Sequence, residues 1–433
     1  MRNIIILSLA MVILAGVCFA QTDSIPEPRF GHTMVMLNDT IFLFGGEGDS
    51  TAKSAPVFND LWRFNEDNSM WEEETPIDGP PPARMAHSAV AHGGKMYVFF
   101  GEGESGLLED IWKYDPSSNT WTECLSGGLD TPAARKYHSA TSVGDKIYVG
   151  GGILSGDISA WDFWKYDPST GDWESQSPHP GAYAGHGAFP FDGNIYAFGG
   201  YSESGIYRND VWKYNPSTIE WYWVEAGGTL PFEWGYFASA FATGTHGVSI
   251  FTFGGEDASR AASLSSVGYS YKYDPACSTW TRLADGPAIS HGAAACLSSG
   301  DSVDVYIFGG LNTADDPTNN MWKYDPDADT FEVIELGVKE THMQKPQSLS
   351  LNVYPNPFNS SISITAPADA EIEIYDLRGN VVGATRWVAQ EKGDATHRPY
   401  IWTPSESISS GIYLIRATTK DGGTITKRIV YLK

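Results

Sequence analysis

An aromatic pair held nine residues apart recurs six times along this chain of 433 residues. The copies are LWRFNEDNSMW (61–71), IWKYDPSSNTW (111–121), FWKYDPSTGDW (163–173), VWKYNPSTIEW (211–221), SYKYDPACSTW (270–280) and MWKYDPDADTF (321–331). Ten of the fifteen tryptophans stand at its two ends. Ahead of each copy runs an apolar segment closing on glycines, as in TIFLFGG (40–46), NIYAFGG (194–200), SIFTFGG (249–255) and VYIFGG (305–310). The third copy reads IYVGGG, and the second, MYVFFGE, carries Phe100 where the first glycine is expected. A third motif leads the unit: Arg29 and His32, Arg84 and His87, Arg135 and His138, each His followed by Ser or Thr. His186 and His291 continue the histidine series without the arginine, and Phe237 takes its place in the fifth unit. A period of about 50 residues, kept from Arg29 to roughly Leu336, restricts the chain to a repeat architecture in which neighbouring units bury one another.

Each unit reads as four antiparallel strands, here lettered a to d. On strand c, Trp112 and Tyr114 share one face and Lys113 the other. Asp115 and Pro116 suit the first two positions of a type I turn into strand d. Four-stranded sheets repeated around an axis leave only short, protected edges. The glycine pair after a strand, with Tyr and Trp at fixed spacing, resembles the kelch repeat over about 308 residues. The resemblance implies an all-β, six-bladed kelch-type β-propeller over residues 29–336. The repeats begin at strand a and end at strand d, so no terminal strand obviously crosses from the last blade to the first, and the sequence leaves open how the ring closes.

Residues 1–20, MRNIIILSLAMVILAGVCFA, have a basic start, an apolar run and small residues before Gln21, the pattern of a cleaved secretory signal. Acylation at Cys18 is the weaker alternative, since Val17 stands where such signals carry a small residue. The mature chain is expected to have no transmembrane segment. Residues 337–348 have the polar character of a linker. Residues 349–433 then alternate cleanly in SISIT and EIEIY, turn at DLRGN and close with IYLIRATT and KRIVYLK, which suggests a small immunoglobulin-like β-sandwich. YPNPFN, IYDLRGNVV, SGIYLIR and TKRIVYLK resemble the C-terminal sorting domain of the type IX secretion system. That resemblance implies recognition by outer-membrane secretion machinery and a location outside a Gram-negative-type cell, secreted or on its surface.

The formal net charge is -25, and the acidic excess lies before residue 349. Such a surface repels nucleic acid and anionic lipid and favours cationic partners. Cys124, Cys277 and Cys296 are too few for a disulfide framework; Cys277 and Cys296 are near enough in the repeat to pair, though inert thiols fit better.

No serine-nucleophile elbow, zinc signature, phosphate loop or nucleotide fingerprint is present, so no catalytic residue, metal site or cofactor is assigned. A histidine required by almost every unit belongs more naturally to the scaffold than to a site. Adjacent Tyr137 and His138 invite comparison with galactose oxidase, but that family has seven blades and a copper-binding Tyr crosslinked to a Cys. The bacterial sialic acid epimerases are closer in architecture only.

Function is sought instead in the strand b to c loops and the d to a connections, which share one face of the ring. Arg29, Arg84 and Arg135 fall near that face, beside loops bearing Glu47, Glu102 and Trp161, with Tyr183, Tyr201 and Trp234 around the remaining arc. Either each arginine pairs with an acid or a carbonyl of the scaffold, or it presents charge to a ligand beside these aromatics. The expected function is a monomeric surface or secreted module that binds a protein or a carbohydrate. The alternative is a carbohydrate-active enzyme of epimerase or hydrolase type.

Overall fold

The computed structural model describes residues 25–49, 55–127, 130–181, 183–202, 206–244, 247–257, 266–299, 302–336, 352–354, 357–365, 371–378, 380–385, 399–405, 407–418 and 424–433. The secretory signal expected at 1–20, with Cys18, and the linker expected at 337–348 lie outside them. Two compact units divide the chain, residues 1–338 and 339–433.

In the first unit, six successive sheets each run in the order a, b, c, d. The first comprises Thr33–Leu37, Thr40–Phe44, Leu61–Asn65 and Met70–Glu74. The second comprises Ser88–His92, Lys95–Phe99, Ile111–Asp115 and Thr120–Glu123. The later sheets begin with strands a at Ser139–Val143, Gly187–Phe191, Ala238–Gly244 and Ala293–Ser299. All pairs within these sheets are antiparallel; a short parallel segment, Gly227–Gly228, adds to strand d of the fifth.

The aromatic motif forms the packing between sheets. Tyr114 and Trp121 face each other across strands c and d and press with Met96 and Val98 onto Val35, Phe42 and Phe44 of the preceding sheet. Tyr166 and Trp173 do the same against Tyr97 and Phe99, one sheet further on. Trp112 is only half-buried and packs at the margin, its indole N–H donating to Asp110 at 2.7 Å. The second aromatic is buried in all six sheets, whereas the first is buried at Trp62, Trp164 and Tyr271 and only half-buried at Trp112, Trp212 and Trp322. At the turn, Asp115 accepts hydrogen bonds from the Ser117 N–H and hydroxyl, and Asn119 turns back at φ 50°.

Closure, which the sequence left open, uses no exchanged strand among the described residues. Trp62, Phe64 and Trp71 of the first sheet share one core with Tyr306, Phe308 and Met321 of the sixth. Two rings of hydrogen bonds complete it. In one, the second glycine of each pair donates its N–H to the carbonyl at the Arg position of the next sheet: Gly46 to Arg84, Gly101 to Arg135, Gly152 to Tyr183, Gly200 to Trp234, Gly255 to Ile289, and Gly310 to Arg29, at 2.7–2.9 Å. In the other, Ala86 donates to Gly31, Tyr137 to Ala86, Gly185 to Tyr137, Tyr236 to Gly185, His291 to Tyr236, and Gly31 back to His291, also at 2.7–2.9 Å. Each ring returns to its starting residue after six bonds.

These rings explain the glycine pair. Gly45 and Gly46 both have positive φ, and a Cβ on Gly45 would stand 2.7 Å from the Arg84 carbonyl, while one on Gly46 would meet His32 at 2.9 Å. Phe100 adopts the same left-handed conformation with a side chain, and its ring stacks on Trp173. That departure is accommodated where the next sheet offers an aromatic face.

In the second unit, a sheet of Asn352–Tyr354, Ile362–Thr365 and Pro399–Trp402 and a sheet of Glu371–Tyr375, Val381–Thr385, Gly411–Thr418 and Thr424–Tyr431 share one core. Phe358 of the YPNPFN segment is buried on Trp402 and Tyr431, and its backbone bonds Val430 and Leu432. The aromatic of the entry motif thus pins that segment to the terminal strand. Cys124, Cys277 and Cys296 are all free, and burial raises the pKa of the Cys296 thiol, consistent with inert cysteines.

Candidate functional site

The predicted arginines turn inward. Arg29, Arg84 and Arg135 are fully buried. Each forms a two-pronged salt bridge within its own sheet, to Asp60, Asp110 and Asp162, with N–O distances of 2.6–2.8 Å. Each also donates to the carbonyl at the first glycine position, Gly45, Phe100 or Gly151, and from Nε to the residue two before it. At least four of the five guanidinium donors are thus engaged inside the protein. The same aspartates accept the N–H of Trp62, Trp112 and Trp164. Burial pushes the Asp110 and Asp162 carboxyls upward, but the hydrogen bond and charge of the arginine outweigh it and hold both below the usual range.

The arginine is lost first and the aspartate one sheet later. Tyr183 holds the Arg position of the fourth sheet and donates its hydroxyl to Asp210 at 3.0 Å. In the fifth sheet Trp234 is buried against Phe237 and Trp280, with Tyr269 at the acid position. Tyr183 and Trp234 therefore belong with the buried arginines and do not face the channel mouth.

The histidines are also joined across sheets. Nε2 of His87 shares a hydrogen bond with the Thr33 hydroxyl at 2.8 Å, His138 with Ser88 at 2.7 Å, and His186 with Ser139 at 2.7 Å. This accounts for the hydroxyl residue after each histidine. Where Gly187 removes it, the next sheet has Phe237 in place of histidine. His291 does not belong to this series: it takes the position of Gly31, Ala86, Tyr137, Gly185 and Tyr236, one residue earlier, and shares their positive φ and their ring of hydrogen bonds. The spelling HG in both the fourth and sixth units concealed that one-residue offset.

Burial lowers the pKa of these imidazoles, to about 3 for His32 and His186 and well below the ordinary value for His87 and His138. The charges of Arg29, Arg84 and Arg135 add to the effect at His32, His87 and His138 respectively. The unfolded chain takes up these protons near 6.5 and the folded chain only far below, so folding excludes protons between the two values. Stability is present above pH 6.5 and declines as the pH falls toward about 3. Urea unfolding is expected to show a loss of at least about 3 kcal/mol between pH 7 and pH 5. A flat profile there would show that the imidazoles charge without cost.

A cavity of about 130 Å³ lies at the centre of the ring, lined by these histidines and by the residues of the inner hydrogen-bond ring. Three of the six inner positions carry rings: Tyr137, Tyr236 and His291. Tyr236 stacks on His291 at 4.4 Å, and Tyr137 meets the two edge-on at 5.1 and 5.4 Å. Beside them stand the residues that follow the glycine pairs, Glu47, Glu102, Tyr201 and Glu256. Lys136 pairs with Glu102 at 2.7 Å and its ammonium lies 6.0 Å from the Tyr137 ring centre. Glu256 is buried, accepts the Tyr207 hydroxyl at 2.6 Å and lies 3.5 Å from His291 Nδ1. Burial raises the Glu256 pKa, and burial together with Glu102 raises that of Glu47. Burial, then Tyr236, then Glu102, Glu256 and Glu47, raise the Tyr137 hydroxyl. Of the residues expected at a site, Glu47, Glu102 and Tyr201 come together here, and Trp161 is exposed on its loop. Sequence reasoning missed Lys136, Tyr236, Glu256 and His291 as site residues. The available signal was a large ring at a position that other units fill with Gly or Ala.

A closed ring of four-stranded antiparallel sheets around a central channel is a β-propeller. Residues 17–183 match the KLHDC2/KLHL20/DRC7 Kelch-repeats domain, residues 104–301 the Attractin/LZTR1 beta-propeller and residues 352–432 the Secretion system C-terminal sorting domain. The chain thus carries kelch repeats in a β-propeller and a C-terminal secretion sorting domain. It is 36% identical over 135 residues to Kelch domain-containing protein 3 of Bos taurus, covering 30% of this chain and 34% of that one. It is 33% identical over 168 residues to N-(sulfonatooxy)prop-2-enimidothioate sulfolyase of Thlaspi arvense, covering 36% and 46%. Against Host cell factor of Drosophila melanogaster it is 33% identical over 141 residues, covering 29% and 9%. The matches thus span less than half the length of each of these relatives. Among the described residues, no helix is long and apolar enough to cross a membrane.

Proposed function

We propose that this chain is an exported, non-catalytic binding module that recognises a protein partner through the loop face of its propeller. The observation that carries this reading is the mouth itself: rings from Tyr137, Tyr236 and His291, edged by carboxylates, occur where the repeat otherwise places small residues. Rigid scaffolds carry binding residues at such departures. The sorting domain supports delivery to the outside of the cell by the secretion machinery, either released or retained at the surface.

The size of the cavity favours a protein over a sugar. Pockets that enclose a small-molecule ligand run to about 300–1,000 Å³, whereas this one is about 130 Å³. A protein presents one side chain to such a space and spreads its remaining contacts over the loops. Trp161, 68% exposed, is the aromatic best placed for that outer contact.

Fluorescently labelled full-length protein is expected to bind saturably to the outer surface of the producing cells after protease-sensitive sites there are left intact. Trp161→Ala should weaken binding about tenfold or more, with an unchanged melting temperature. Binding that survives protease treatment of the cells, or that ignores Trp161→Ala, would count against a protein partner on this face.

A further inference from the structure

We infer that the channel mouth takes a single lysine side chain of the partner, its ammonium seated over Tyr137 and Tyr236 and among Glu47, Glu102 and Glu256. This rests on the binding-module reading and supplies the chemistry of its central contact.

Three independent features converge. The first is charge: the three glutamates around the tyrosine rings face Lys136 as the internal cation, and Lys136 is already paired with Glu102. That leaves the carboxyls of Glu47 and Glu256 to complement a further positive charge. The second is the aromatic cradle. Lys136 shows that an ammonium can stand over Tyr137, and cations are drawn to such faces, more strongly once desolvated. The third is the cavity below the rings. Nδ1 of His87 and of His138 has no hydrogen-bond partner among the described residues, and both rings are buried and line the cavity. Their Nε2 atoms are held by Thr33 and Ser88, so both rings stand fixed as walls of the cavity.

Volume and shape select among cations. The cavity has room for about four water molecules, enough for a thin, unbranched stem ending in a compact charge. Lysine has that form, whereas the planar guanidinium fork of arginine requires a wider slot with matched acceptors. Among the described residues the cation at the site is Lys136, already paired with Glu102, so the glutamates disfavour a carboxylate-bearing ligand.

The fold supplies its own control. Glycine occupies the Tyr137 and Tyr236 position in the first and fourth sheets, as Gly31 and Gly185, with the same hydrogen bonds. Tyr137→Gly and Tyr236→Gly should therefore keep the ring closed while removing the cradle. The full-length protein should be titrated calorimetrically with N-acetyl-Gly-Lys-Gly-amide, with the same peptide acetylated on lysine, and with its arginine counterpart. Saturable binding of the lysine peptide is expected, at least about tenfold weaker on acetylation, with Tyr137→Gly/Tyr236→Gly, or with Glu256→Gln. No saturable binding, equal affinity for the acetylated peptide, or an undiminished affinity in the double variant at unchanged melting temperature would overturn the inference, and equal affinity for the arginine peptide would overturn the choice of lysine. If cell-surface binding depends on Trp161 yet the double variant binds cells normally, the lysine site fails while the binding-module reading stands. If the wild-type protein binds no cell surface, that reading fails first.

Discussion

Arg84→Ala is expected to destabilise the propeller by about 3–5 kcal/mol, the cost of leaving one partner of a buried ion pair without the other. Arg84 is fully buried, and its loss leaves Asp110 without its counter-charge and strips a donor from the Phe100 carbonyl. Asp110→Ala should cost a comparable amount, because the guanidinium then has no counter-charge. The double variant should lose less than the two singles added, since neither charge is stranded. The fourth sheet suggests a rescue: Tyr183 at the Arg position still reaches its aspartate, so Arg84→Tyr should be milder than Arg84→Ala. Urea unfolding of the four variants decides it; additive losses would show that the pair acts as two unrelated residues. An arginine serving a ligand would instead leave the unfolding midpoint in place.

Trp121→Ala should be as severe, about 3–5 kcal/mol, because it empties a fully enclosed site between two sheets. Trp121 packs on Tyr114 at 5.2 Å and on Phe44 of the preceding sheet at 5.0 Å, so both sides of the interface lose contacts. Trp112→Ala should cost distinctly less, since Trp112 is only half-buried and its clearest bond is to Asp110. Thermal melting of the two variants gives the order directly. A larger loss at Trp112 would mean that the first aromatic, not the third, rivets the sheets.

The scaffold was legible because its physics is periodic. Alternating strands, an Asp-Pro turn and tryptophans nine apart recur whenever a sheet must pack on a copy of itself, and they led to the right architecture. The partner of each arginine was not legible, because Asp60, Asp110 and Asp162 lie 26 to 31 residues away in loops of different length. Once located, the pairing explains why the fifth sheet lacks both groups. The function of the glycine pair was likewise hidden, since its N–H crosses to a carbonyl in the next unit. His291 shows the limit of spelling: a one-residue offset moved it from the imidazole series to the channel floor. The mouth was only half visible, because Glu47, Glu102 and Tyr201 sit at one repeated position whereas Tyr137 and Tyr236 sit at another that three of the six units fill with a small residue.

That division is the core of the account: repeated residues hold the ring, and departures from the repeat form the site. Its most direct test is the affinity of the Tyr137→Gly/Tyr236→Gly protein for the lysine peptide, measured beside its melting temperature. The account predicts binding weakened about tenfold or more with melting unchanged. Wild-type affinity in a protein of wild-type stability would contradict it.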